Sequence, residues 1–208
     1  MNKEKRYKIL SLFFMKYPEP KTDLVFTSDF ELLLSVMLSA QSTDLMVNKI
    51  TKKLFQIANT PEKILLLGTK GLKHYIKGIG LYNIKSSNII ETAFLLLTKY
   101  NGNIPNNRIE LESLPGVGRK TANIILNILF KKKTIAVDTH VFRVSNRTNF
   151  ATGKNVKVVE KKLIKVVPNV FKLFVHSWFV WHGKHICTAR KIKCHICLIF
   201  ELCEFKNK

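Results

Sequence analysis

The residues best equipped for chemistry are four cysteines crowded toward the C-terminal end, Cys187, Cys194, Cys197 and Cys203, in the pattern C-x6-C-x2-C-x5-C. Four thiolates in so short a segment can converge on a metal centre. Disulfides are the competing use. However, the apolar run at residues 9–15 is broken by Lys16 and followed by Tyr17-Pro18-Glu19-Pro20 with no small-x-small cleavage site. A secretory leader is therefore not expected, and thiols of a cytoplasmic protein stay reduced. Zinc ribbons usually present two close pairs, whereas here one close pair is flanked by two single cysteines, so the spacing admits an iron–sulfur cluster and a structural zinc ion alike. Either centre would be fully ligated and hence structural, leaving no open position for catalysis. Lys184, Arg190, Lys191 and Lys193 lie in or beside the loop. They form either a basic surface for phosphates or ordinary solvated charge.

A second constellation runs over residues 114–120, Leu-Pro-Gly-Val-Gly-Arg-Lys. Pro115 favours a tight turn, and Gly116 and Gly118 permit backbone angles denied to other residues. Between two helical segments, such a turn leaves amides at a helix N-terminus, where a phosphate oxygen can bind. Val117 and Arg119 belong to the same turn, and the small Ala122 lets two helices approach closely. The string matches a helix-hairpin-helix, which grips a nucleic-acid backbone without reading its sequence; the bland alternative is a plain helical corner.

Lys120 falls just inside the second helix and Asp138 follows in Ala136-Val137-Asp138-Thr139-His140. Separately they read as a solvated lysine and a helix N-cap. Jointly they suggest more. An amine in a partly desolvated site is neutral and nucleophilic, and with a sugar C1′ it can form a Schiff base. A nearby carboxylate can stabilise a cationic sugar or help to move a proton.

Helical signals dominate the elements that must hold these groups. Thr60-Pro61-Glu62 reads as cap, first-turn proline and first-turn acid, with Gly68 as a stop; Asn155 reads as the cap of a helix ending before Pro168. Residues 81–100 form a longer amphipathic segment, and helices are expected near 4–17, 29–40, 43–57, 107–113, 119–131, 140–148 and 171–186. Residues 134–137 are β-like but too short to found a sheet. The fold class is therefore all-α. No stretch of 18 apolar residues exists to span a membrane, so a cytoplasmic protein is expected. The net charge of +21 over 208 residues favours a polyanionic partner, because neutralised phosphates release counterions.

Taken together these features resemble the endonuclease III family of helix-hairpin-helix DNA glycosylases over the whole chain. The strings that carry the resemblance are 38–44 (LSAQSTD), 79–83 (IGLYN), 114–122, 137–141 (VDTHV), 146–148 (NRT) and the cysteine pattern. The resemblance implies a two-domain all-α fold: a helical barrel module at 22–132 containing the hairpin at about 107–131, and a second domain of 1–21 plus 133–208. It implies a [4Fe-4S] cluster on Cys187, Cys194, Cys197 and Cys203, with Lys120 as Schiff-base nucleophile and Asp138 as essential carboxylate. It also implies that Gln41 and Leu81 fill the gap left by a nucleotide extruded from the stack; without it they read as a polar residue at a helix end and an apolar loop anchor. The hairpin residues 116–119 and Lys191 would meet the backbone of double-stranded DNA, bound by a monomer associated with the nucleoid.

The expected activity is removal of oxidised pyrimidines followed by β-elimination at the abasic site. Ser42 and Met46 depart from residues common in the family, which bears on packing or base preference. Two rivals remain. A related adenine-specific mismatch glycosylase lacks the hairpin lysine and carries a further C-terminal domain, and a non-catalytic DNA-binding protein could use the cluster as a redox sensor. Lys120 with Asp138 separates the enzyme from the latter.

Overall fold

The computed structural model describes residues 1–206, and every regular element within them is helical. The expected all-α class holds, and residues 134–137 form no strand. Two compact units result: Thr22–Phe130, and Met1–Lys21 with the chain from Lys131 onward.

The first unit carries α2 (Asp29–Ser39), α3 (Asp44–Ile57), α4 (Pro61–Ile76), α5 (Tyr82–Tyr100), α6 (Arg108–Ser113) and α7 (Arg119–Ile128). Its hub is α2, in which every residue from Phe30 to Leu38 is buried. A helix apolar on all faces must be enclosed by others, and α3, α5 and α7 pack around it. Its start is fixed by a reciprocal cap. Ser28 Oγ accepts from the Glu31 amide at 3.2 Å, and the Glu31 carboxylate accepts from the Thr27 amide at 2.6 Å and the Thr27 hydroxyl at 2.8 Å. Two orphan donors are satisfied in this way.

Thr60 caps α4 as the sequence suggests, accepting from the Lys63 amide at 3.3 Å, and Gly68 interrupts the helix where a stop is expected, with φ 65° and ψ 173°, before a second helical stretch continues to Ile76. Leu72 and Ile76, one turn apart, are fully buried, and that burial outweighs the break.

The second unit holds α1 (Lys3–Lys16), α8 (Thr139–Arg147), α9 (Val156–Val166) and α10 (Val175–His185). Its core is aromatic: Phe13, Phe150, Trp178 and Phe179 are almost wholly enclosed. The Trp178 indole N–H donates to the Tyr17 carbonyl at 2.8 Å, so its polar edge is not stranded. Asn155 caps α9, accepting from the Val158 amide at 3.0 Å. By contrast α10 starts four residues later than periodicity suggests. After Pro168 the chain makes successive turns, with Phe171 N bonded to Pro168 O and Phe174 N to Phe171 O, each at 3.0 Å. Where α8 meets α10, Gly183 is required for close approach, since a Cβ there would sit 2.9 Å from His140 Cβ.

Candidate active site and metal centre

The hairpin is built by α6, the turn at 114–118, and α7. The Val117 amide closes the turn on the Leu114 carbonyl at 3.0 Å, and the Thr92 hydroxyl of α5 ties down the Pro115 carbonyl at 2.9 Å. Val117 points inward and is buried, while Gly116, Gly118, Arg119 and Lys120 are exposed. The two glycines do different things. Gly116 adopts φ +77°, and a Cβ would lie 2.9 Å from Asn88 Nδ2 and 3.3 Å from Met37 Cε. Gly118, expected to need special angles as well, is extended at φ −89°, ψ 177°, with nothing within 4 Å of a hypothetical Cβ. Its value is the open space before α7, which begins without a side-chain cap. That leaves a helix N-terminus presented to solvent, suited to an anion.

Lys120 occupies the second position of α7 and is exposed. Asp138 belongs to the other unit, where its Oδ1 accepts from the Val141 amide at 2.8 Å and caps α8. The capping role read from sequence is therefore real, and it leaves the second carboxylate oxygen available for another partner.

Gln41 and Leu81 share an unusual property. Both are exposed and both hold positive φ, 57° and 61° respectively, a conformation that costs an L-residue roughly 1–2 kcal/mol. Gln41 follows α2 and Leu81 precedes α5. Their loops adjoin, because a Cβ on Gly80 would lie 3.5 Å from the Gln41 carbonyl. Strain held at two neighbouring exposed loops points to function. Sequence reasoning missed the residue between them, Lys85, whose ammonium donates to the carbonyls of Leu38 at 2.8 Å and Ala40 at 2.5 Å. The signal was present: Lys85 lies on the same helical stripe as the buried Ile89, Thr92 and Leu96.

None of the four cysteines is in a disulfide. Cys187 follows α10 and is buried, and the others flank a short 3-10 turn at Cys194–Ile196. The thiols are electrostatic neighbours. Burial pushes the Cys197 thiol up to about 11, and Cys203, Cys194 and Cys187 add to the rise. Among the described residues no three His, Cys, Asp or Glu side chains meet closely enough to hold a single metal ion. His182 Nε2 lies 3.8 Å from Cys197 Sγ, and burial pushes the imidazole down to about 4, so it packs there neutral.

Two arginines of α8 organise the loop, another feature without a role in the sequence reading. Arg143 donates to the carbonyls of Gly183 at 2.7 Å and Cys187 at 3.0 Å; Arg147 donates to those of Thr188 at 2.5 Å and Ala189 at 2.9 Å. Their i, i+4 spacing puts both forks on one face of the helix that Asp138 caps. Lys191 is exposed, and its carbonyl accepts from the Thr188 hydroxyl.

An all-helical chain with this hairpin has the features of a helix-hairpin-helix base excision glycosylase. Residues 34–169 match the model of the HhH-GPD superfamily of base excision DNA repair proteins. Endonuclease III of Buchnera aphidicola subsp. Acyrthosiphon pisum (strain APS) is 76% identical over 208 residues, covering 100% of this chain and 99% of that protein. Endonuclease III of Escherichia coli is 57% identical, again over 100% of this chain and 99% of its own length. A solved structure of a trapped endonuclease III–DNA covalent intermediate is 40% identical with a TM-score of 0.92, covering 98% of this chain and 96% of that one. The chain belongs to the endonuclease III family, whose members are DNA glycosylases and abasic-site lyases of base excision repair. None of its helices is long and apolar enough to cross a membrane, among the described residues.

Proposed function

We propose that this chain, as a monomer, removes oxidised pyrimidines from double-stranded DNA and nicks the abasic site, with Lys120 as nucleophile and Asp138 as its carboxylate partner. The observation that carries the reading is the hairpin: an uncapped, exposed start of α7 with Lys120 one turn-position inside it. A backbone phosphate bound at Gly116, Val117, Gly118 and Arg119 brings a sugar to the lysine without any contact to a base edge. Lys120 is exposed in the free chain and not in the partly desolvated site expected from sequence, so any desolvation comes with bound DNA.

The Lys120 amine attacks C1′, and the electrons of the glycosidic bond leave with the base, which takes a proton. Positive charge builds on the sugar as that bond breaks, and the free oxygen of Asp138 stabilises it. The nitrogen gives up a proton, the C1′–O4′ bond opens with its oxygen taking a proton, and the iminium so formed makes the C2′ proton acidic; loss of that proton expels the 3′ phosphate, and water then releases Lys120. Base removal requires the nucleotide to leave the stack at a cost of a few kcal/mol, and Gln41 and Leu81, already held outward, fill the space left behind.

Cys187, Cys194, Cys197 and Cys203 fit a [4Fe-4S] cluster: four thiols outside any disulfide, three of which act electrostatically on Cys197, with Arg143 and Arg147 holding the first turn of the loop. When bound, such a cluster supplies a rigid core for the C-terminal loop, with Lys191 on a basic face toward phosphates. Incubation with a duplex carrying one oxidised pyrimidine tests the function. Release of the free base together with a β-elimination nick supports the reading, and an intact strand at high enzyme excess contradicts it.

A further inference from the structure

Lys85 is an expensive residue in its place. It is 8% exposed, its pKa is pushed below the usual lysine value by burial, and no carboxylate pairs with it among the described residues. A methionine of similar length would pack there without desolvating a charge. What the ammonium does instead is bind the C-terminal carbonyls of α2, Leu38 and Ala40. Those groups have no intrahelical donor, and a cation at a helix C-terminus is favoured by the dipole.

The same residue is fastened at its other end. The Lys85 backbone amide donates to the Leu81 carbonyl at 3.0 Å, closing the first turn of α5. One residue thus joins the carbonyl immediately before Gln41 to the carbonyl of Leu81. Neither exposed residue has a comparable tether of its own. Leu81 starts α5 with no side-chain cap, and the turn after α2 is otherwise closed by Ser42 N on Ser39 O at 3.1 Å.

We infer that Lys85 is a positioning residue for base extrusion: its buried ammonium fixes the separation and the strained backbone of the Gln41 and Leu81 loops, so that both enter the duplex together. This rests on the reading of those two side chains as the ones that fill the gap. Lys85 touches neither DNA nor the reacting atoms, and acts through the carbonyls it binds.

The test uses the full-length protein and a duplex in which 2-aminopurine stands opposite a stable tetrahydrofuran abasic analogue. The fluorescence rise on saturating binding reports unstacking of the estranged base. Gln41→Ala and Leu81→Ala are the reference variants and should both lose most of the rise. Lys85→Met should lose it too, and Lys85→Arg, which keeps charged donors, should recover a substantial part. In parallel, excision of an oxidised pyrimidine from duplex DNA by Lys85→Met should fall about tenfold or more, as expected for loss of charge-assisted hydrogen bonds. Nicking of an abasic site in single-stranded DNA, where no base need be displaced, should fall far less.

Circular dichroism and thermal melting establish folding. If Lys85→Met does not fold, Lys85→Gln, which retains a weaker donor, takes its place and should lie between wild type and Gln41→Ala. A folded Lys85 variant with the wild-type rise and duplex rate overturns the inference while leaving the Gln41 and Leu81 reading intact. A wild-type rise in Gln41→Ala and Leu81→Ala defeats that reading and the inference with it. Equal losses on duplex and single-stranded DNA reduce Lys85 to a stabiliser of the fold and also overturn it.

Discussion

Replacing each hairpin glycine by alanine separates conformation from access. At Gly116 the new Cβ must be carried at φ +77° and meets Asn88 Nδ2 at 2.9 Å, Asn88 Cβ at 3.1 Å and Met37 Cε at 3.3 Å. The left-handed backbone costs roughly 1–2 kcal/mol, and forcing atoms into a filled space roughly 1–3 kcal/mol. Gly116→Ala should therefore lose about 2–5 kcal/mol of stability. Gly118→Ala meets open space at φ −89°. Its stability should stay within about 0.5 kcal/mol of wild type, or rise slightly because the unfolded chain loses freedom. Its methyl nevertheless projects into the space before α7 where a phosphate would sit. Urea unfolding followed by circular dichroism measures the first effect, and anisotropy titration of a labelled abasic-analogue duplex measures the second. Gly116→Ala should be destabilised, and Gly118→Ala should be stable yet bind more weakly. Equal stability of the two variants would refute the conformational assignment, and wild-type binding by Gly118→Ala would refute the phosphate site.

Because Asp138 caps α8 through one oxygen, Asp138→Asn keeps a good cap and should melt like wild type while slowing base release, whereas Asp138→Ala should also lose about 1 kcal/mol of stability; thermal melts beside single-turnover excision distinguish the two. DNA affinity should fall about a hundredfold or more between low and physiological salt if several phosphates are neutralised, and a flat response would reduce the +21 charge to composition. Anaerobically purified protein should contain iron and sulfide and absorb broadly in the visible, and Cys197→Ser should loosen the C-terminal loop and weaken DNA binding more than it alters chemistry on bound DNA. Zinc without iron on elemental analysis would defeat the cluster assignment.

The fold class and most helix starts were legible because side-chain caps announce them: Thr60 and Asn155 do in space what they promise in sequence. Helix ends were harder. Gly68 does interrupt α4, but the immediate restart beyond it, which buries Leu72 and Ile76, was not legible because it depends on tertiary packing. Pro168 marks a break correctly but not its length, since the following turns depend on where Phe171 can be enclosed. At the site, Gly116 was legible as a conformational glycine. Gly118 was misread, because sequence cannot tell a residue that needs special angles from one that needs an empty neighbour. Lys85 and Arg143 escaped notice, and Arg147 stood in a motif without a role, for a common reason: each acts on backbone carbonyls, and a carbonyl leaves no mark in the residue alphabet.

In the proposed mechanism one lysine performs both base removal and strand cleavage. Borohydride reduction during reaction with an abasic duplex, followed by proteolysis and mass spectrometry of the cross-linked peptide, tests it most directly. A single reduced sugar adduct on Lys120 is expected, absent from a folded, DNA-binding Lys120→Gln variant that no longer nicks. An adduct on any other amine of the wild-type protein, or trapping and nicking by Lys120→Gln at the wild-type rate, would contradict it.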